Sequence, residues 1–225
     1  MRKFICAVCG AHSEHKEFAP AEDLQPPDFD TRPGEPLRSN MDAWMHSCPS
    51  CGYAAGNLEE LAESVRELVL GAEYQRIAND TELHARVRPF VCHSWILEQL
   101  YAYADAGWCM LHAAWVCDDL GAVEQALICR ERCIELWKEA KMQSTDFMES
   151  HLEEFAVISD LHRRLGQFEE AHVACEAALD TPELPWIIVS MLRAQLVLLA
   201  SGDRGRHSLT ELLSASDAAA ASDPF

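Results

Sequence analysis

From residue 58 onward the apolar residues recur at three- and four-residue spacing, and before it they do not. In NLEELAESVRELVLGAEYQRI, Leu58, Leu61, Val65, Leu68 and Val69 share one face and charges take the other, which predicts an amphipathic helix. Asn57 is its candidate N-cap, with Glu60 as the capping-box partner three residues on. Pro89 sits where a missing backbone donor does no harm, at the start of a second helix over about 90–100. Further helices are predicted over roughly 103–119, 123–141, 147–165, 168–180 and 184–200, and the short connections make sequential helices antiparallel neighbours. Beyond them the chain turns to Ala, Ser and Asp, with room for one short helix near Ser208–Leu213.

Two of the connections repeat. Leu120-Gly121-Ala-Val-Glu-Gln-Ala126 matches Leu165-Gly166-Gln-Phe-Glu-Glu-Ala171, and Leu100 to Ala106 is a third copy lacking the glycine. Glycine closes a helix in a left-handed conformation, and alanine lets the next helix approach closely, as in tetratricopeptide-like turns. The offsets of 20 and 45 residues differ from the regular spacing of that repeat, so degenerate TPR-like hairpins describe the pattern. An ordinary helical bundle reusing a good turn is the alternative.

The first 57 residues lack helical periodicity. They hold two CxxC pairs, CAVCG and CPSCGY, separated by 38 residues that contain five of the ten prolines. Cys6, Cys9, Cys48 and Cys51 supply four soft thiolates, and Gly10 and Gly52 permit the tight knuckle that each pair needs. A single structural zinc ion, closed to substrate, is the expected cofactor. The expected architecture is mainly α, with a zinc-ribbon-like module over 1–57, TPR-like antiparallel hairpins over 58–201 and a mostly disordered tail over 202–225.

His12, His15 and His46 lie near these pairs and could replace a thiolate, but four cysteines already complete a shell. The other six cysteines, Cys92, Cys109, Cys117, Cys129, Cys133 and Cys175, sit in apolar helical segments. With His93 and His112 they could be drawn as a second metal site, yet buried free thiols acting as small hydrophobes account for them better. Trp108, Leu111 and Trp115 mark a helix apolar on nearly all sides, the signature of a central buried one. Arg163 and Arg164 are either exposed helix-end cations or an inner face for an acidic peptide.

Charge and cysteine usage narrow the function. A formal net charge of -19 over 225 residues repels phosphate backbones and anionic lipid, so neither nucleic acid nor a membrane is an expected partner. The start, MRKFICAVCG, has no apolar stretch of signal-peptide length, and ten cysteines without that context indicate a reducing cytoplasm. No nucleophile–base spacing and no phosphate-cradling glycine loop appears.

The motifs FDTRP…R…W…CPSCGYAA, AGWCMLHAAWVCDDLG and RRLGQFEEA, with the N-terminal CxxCG, resemble an uncharacterised bacterial family. Its members join a split zinc ribbon to a TPR-like helical region, and the resemblance runs from about Phe4 to Leu179. It implies zinc at the four cysteines and helical repeats behind them, without an activity. Asp30, Arg32, Pro33, Arg38 and Trp44 match its loop pattern, with docking onto the knuckles or the first helix as their expected role and partner binding as the rival. The resulting functional expectation is an adaptor that binds a protein or peptide. The alternative is a zinc- or thiol-based enzyme or redox sensor acting through the ribbon.

Overall fold

A computed structural model describes residues 1–17, 25–148 and 151–211, without the side chains of 151 and 152. The chain divides into two compact units: Met1–Ala21 with Ser39–Phe147, and Glu22–Arg38 with Met148–Phe225. Residues on both sides of position 57 belong to the first unit. The described residues are mainly helical, as the periodicity predicts. No helix among them is long and apolar enough to cross a membrane.

The first unit begins with two small hairpins. Strand β1 (Arg2–Ile5) pairs antiparallel with β2 (His12–His15), and β3 (His46–Ser47) with β4 (Ala54–Ala55). Helices α1 (Val65–Leu70), α2 (Ala72–Ala78) and α3 (Arg88–Gln99) follow, then α4 (Tyr103–Leu120) and α5 (Val123–Met142). The helix expected from Leu58 therefore starts later and is broken. Asn57 closes a local turn instead of capping a helix, its Oδ1 accepting from the Glu59 amide at 3.1 Å and its Nδ2 donating to Glu60 Oε1 at 2.7 Å. Gly71 is extended at φ −70° and ψ 151°, which separates α1 from α2. The buried face was nonetheless correct, since Leu58, Val65 and Val69 are buried in one apolar cluster with Phe4, Val8 and Ile96. Helix α4 is the central one, with Leu111, Ala114, Trp115 and Cys117 all buried.

The second unit contains α6 (His151–Leu165), α7 (Phe168–Leu179) and α8 (Trp186–Ala200). Its core joins Ala156, Ala171, Cys175, Ala178 and Leu192 to Phe29.

The repeated turn holds in each unit. At Gly121 (φ 68°) the amide donates to Asp118 O, and the Ala122 amide to Cys117 O. At Gly166 (φ 77°) the same pair of bonds runs to Arg163 O and His162 O. This is the double bond pattern of a Schellman closure, which satisfies the last helical carbonyls. The copy without glycine forms the same closure with Tyr101 at φ 60°, and the sequence pattern missed a further one at Ser144 with φ 57°. Five residues after Tyr101, Gly121 and Gly166 come Ala106, Ala126 and Ala171, all buried where the paired helices meet. In two hairpins a serine locks that crossing: Ser94 Oγ donates to Ala106 O at 2.8 Å, and Ser159 Oγ to Ala171 O at 3.5 Å.

Three expectations for the loop and the C-terminal side need correction. Arg163 is fully buried, neither an exposed helix end nor a peptide-facing cation. Its guanidinium donates to Asp160 Oδ1 (2.6 Å), Gln195 Oε1 (2.7 Å), Gly205 O (2.8 Å) and Asp203 O (3.0 Å). Arg164 meets Asp30 at 3.5 Å. The stretch around Asp30 and Arg32, both buried, belongs to the second unit and not to the unit that contains the knuckles. It pairs instead with the chain beyond α8: the Phe29 amide donates to His207 O at 3.0 Å and the Leu209 amide to Pro27 O at 3.0 Å. Residues 203–209 are thus tied down, within the 202–225 tail for which the sequence predicts mostly disorder. Positions 212–225, and so the end of the short helix expected near Ser208–Leu213, lie outside the described residues, as do 18–24 of the loop. Asp28, buried and beside Asp30, has its carboxyl pushed up to about 7.

Replacing Arg163 with Met should cost about 3–5 kcal/mol, because the buried Asp160 loses its cation and keeps the neutral Gln195 amide as donor. Urea unfolding measures this, and a loss under about 1 kcal/mol would contradict the role. A second outcome concerns pH. Burial lowers the His112 imidazole from its ordinary value to about 4, so the folded state resists a proton that the unfolded chain accepts. Stability from this group is present above about pH 6.5 and is lost as pH falls toward 4, by up to about 3 kcal/mol. The His112→Phe variant should flatten that part of the stability–pH curve.

Candidate metal centre

Each CxxCG segment turns at the tip of one hairpin, and the two turns are built alike. The Cys6 amide donates to Ala11 O (2.9 Å) while Cys6 O accepts from the Gly10 amide (2.7 Å). The Cys48 amide donates to Tyr53 O (2.8 Å) while Cys48 O accepts from the Gly52 amide (2.9 Å). Gly10 and Gly52 are left-handed, at φ 74° and 77°, a conformation that glycine adopts without strain. Such a turn aims both sulfurs of its pair to one side.

The four sulfurs meet there. Their Sγ atoms all lie within 4.8 Å of one another, with Cys6 to Cys51 at 3.7 Å and Cys9 to Cys48 at 3.6 Å. None is in a disulfide. The group could hold one metal ion, and it joins the residues that the sequence singled out from positions 39 to 45 residues apart. Cys6 and Cys48 are buried, Cys51 is half-buried and Cys9 is exposed. Burial pushes the Cys6 and Cys51 thiols up, whereas at Cys9 a backbone hydrogen bond near Ala11 brings the thiol down to about 7.

The three nearby histidines stand outside the sulfur group. His12 is exposed on β2. His15 and His46 pack with Phe4 into a small ring cluster, centroids 5.0 Å apart between the imidazoles and 4.9 Å from Phe4 to His46. Burial lowers both imidazoles, and each also carries a wall of the hairpins' core. Among the described residues no other group of His, Cys, Asp or Glu is gathered for a metal, so the six helical cysteines stay core thiols. Burial pushes Cys92 up to about 11 and Cys109 up to about 12, and Cys175 contacts Ser159 Oγ at 2.8 Å.

Side chains of α1–α3 hold the knuckles from behind, a contribution that periodicity alone did not reveal. Tyr74 Oη donates to Gly52 O (2.8 Å) and accepts from the Ala54 amide (3.0 Å). Gln75 Nε2 donates to Cys51 O (2.9 Å), and Arg66 donates to Ala7 O (2.8 Å). His93 Nδ1 donates to Ala54 O at 2.9 Å, and the Ala7 amide donates to Leu58 O at 2.9 Å. Tyr74 and Gln75 are one turn of α2, so a single short helix fixes the second knuckle. Trp44, the other loop residue of interest, meets His112 of α4 edge-on at 5.3 Å rather than the knuckles.

Comparisons with family models, with curated proteins and with solved structures find no match to this chain. What the centre does must be read from its own geometry.

The two knuckle glycines are not equivalent. A Cβ on Gly52 would come within 2.9 Å of the Ala78 Cβ, whereas one on Gly10 meets nothing within 4 Å. Gly10→Ala should therefore cost about 1 kcal/mol for the left-handed backbone alone, and Gly52→Ala measurably more. Thermal unfolding of the two variants side by side checks the order.

Proposed function

We propose that the protein is a zinc-stabilised helical-hairpin adaptor, in which the ion is structural and a protein or peptide partner binds the helical part. The observation that carries the zinc reading is the sulfur spacing. A tetrahedral ion with bonds of about 2.3 Å to sulfur has ligand–ligand edges of about 3.8 Å, and the two close pairs stand at 3.7 and 3.6 Å. The donor set fits zinc by its softness as well, and four thiolates leave no coordination position for a substrate. Bound there, the ion would fasten two hairpins too small to fold alone to α1–α3. The resemblance to a ribbon-and-repeat family agrees with this assignment.

The adaptor half rests on side chains left outside the core. Ile128 on α5, Val173 on α7, and Trp186 and Val197 on α8 are large apolar residues standing in solvent. Helical hairpins commonly present such positions to partners. Ten cysteines with no disulfide among them suit a reducing compartment, and the acidic charge disfavours nucleic acid and anionic lipid as partners.

A redox sensor is the second reading, favoured by one observation: Cys9 is the exposed sulfur of the four, and its thiol is shifted toward the thiolate. Oxidation would begin there and release the ion.

Metal analysis of the purified chain separates these readings. One zinc per chain, kept under mild chelation and lost in Cys48→Ser together with the folding of the hairpins, is the expected result. Two metals, or a metal that survives Cys48→Ser but needs His12 or His46, would sink the structural reading. Zinc release by stoichiometric peroxide with the helical signal intact would move the assignment to the sensor. For the partner half, affinity capture from the native cell should recover a protein whose retention falls with Val197→Asp.

A further inference from the structure

The first unit contains a concavity of about 360 Å³ that involves none of the four clustered cysteines. Trp44, Phe90, His93, Asp105, Trp108 and His112 line it. Its volume lies in the range of small-ligand sites.

Its aromatic wall is preset. The Trp108 indole N–H donates to Phe147 O at 2.6 Å, and its ring stands edge-on to Trp137 at 5.2 Å. Trp137 in turn stacks on Phe147 at 4.0 Å. Residue 107 is glycine because a Cβ there would come within 2.3 Å of the Trp137 ring. The His112 imidazole sits among the rings of Trp44, Phe90, Trp108 and Trp115 at 4.9 to 6.0 Å. Nothing in this wall has to be ordered when a ligand arrives, which favours affinity.

The polar groups have one sign. His93 donates Nδ1–H to Ala54 O, so the neutral ring keeps Nε2 as a lone-pair acceptor. Burial holds both imidazoles below their ordinary range and pushes the Cys109 thiol to about 12, so these three are uncharged at neutral pH. Asp105 is then the sole charged group of the lining. It is exposed, in the first turn of α4, and makes no ion pair among the described residues. A carboxylate, a neutral acceptor and two tryptophan rings select a cation that carries N–H donors, because aromatic rings attract positive charge and an anion would be repelled.

We propose that this cavity binds a primary alkylammonium group, its N–H donors shared between Asp105 and His93 and its methylenes lying on Trp44 and Trp108. The group is either a free amine or a lysine side chain of a partner. The proposal stands apart from the adaptor reading, because it needs neither zinc nor the apolar residues of α5, α7 and α8.

Calorimetric titration of the full, zinc-loaded chain with n-butylammonium tests it, with 1-butanol as the neutral comparison and an N-acetyl-lysine amide peptide as the third ligand. Butylammonium should bind with 1-butanol at least about tenfold weaker, and Asp105→Asn should weaken butylammonium by about tenfold or more. Trp44→Leu should weaken it severalfold while leaving the zinc content unchanged. A peptide that binds more tightly than butylammonium assigns the site to a partner's lysine, and the reverse order assigns it to a free amine. Equal binding of 1-butanol, unchanged binding in Asp105→Asn with an unchanged melting curve, or no heat with any of the three ligands would overturn the proposal.

Discussion

Four sulfurs held within 4.8 Å of one another, from two hairpins that share no strand, are the constraint on which the first unit rests. Neither hairpin buries enough apolar surface to persist alone, and two-residue strands such as β3 and β4 have almost no ladder to hold them. The helices behind do not create the sulfur cluster. They take its backbone as their docking surface, through Tyr74 on Gly52, Gln75 on Cys51 and Arg66 on Ala7. The burial of Leu58 against the same cluster explains why the chain after it bends instead of entering a helix at once.

Much of the helical order was legible because periodicity and turn chemistry point the same way. The ends of α4, α5 and α7 fall close to where the apolar pattern and the glycines place them. Legibility failed where tertiary contacts override local preference. Ser144 takes a left-handed turn residue's place without being glycine, as Tyr101 does in the copy that the repeat announces, because the flanking helices are fixed by their packing and the link has to follow. Asn57 and Glu60 carry a cap signature, and their side chains do bond each other, but the segment they would open is drawn onto the first knuckle by Leu58 and Ala7.

The four clustered cysteines were the clearest part of the sequence, since CxxCG is a backbone requirement and a chemical one written in five residues. Their distance along the chain hid nothing. Arg163 was harder. An Arg–Arg pair in the last turn of a helix ordinarily serves the dipole, and its acceptors, Gln195, Asp203 and Gly205, lie far along the chain without a pattern to announce them. The aromatic cavity was equally hidden: Trp44, His93 and His112 belong to three separate segments, and the room for Trp137 beside its wall depends on Gly107, a residue that periodicity reads only as a weak helix former.

The interleaving of the two units has a consequence for the order in which the protein is made. The segment 25–38 leaves the ribosome between the first pair of cysteines and the second, yet its backbone partners, His207 and Leu209, follow only after α8. The two cysteine knuckles can come together early, from residues already available. The loop between them in sequence then has to wait, its Phe29 and Asp30 uncovered, until residues 203–209 have emerged. Vectorial synthesis thus turns a static splice into a timed one, and a nascent chain stalled short of residue 203 would carry a finished first unit and an exposed, unmatched strap.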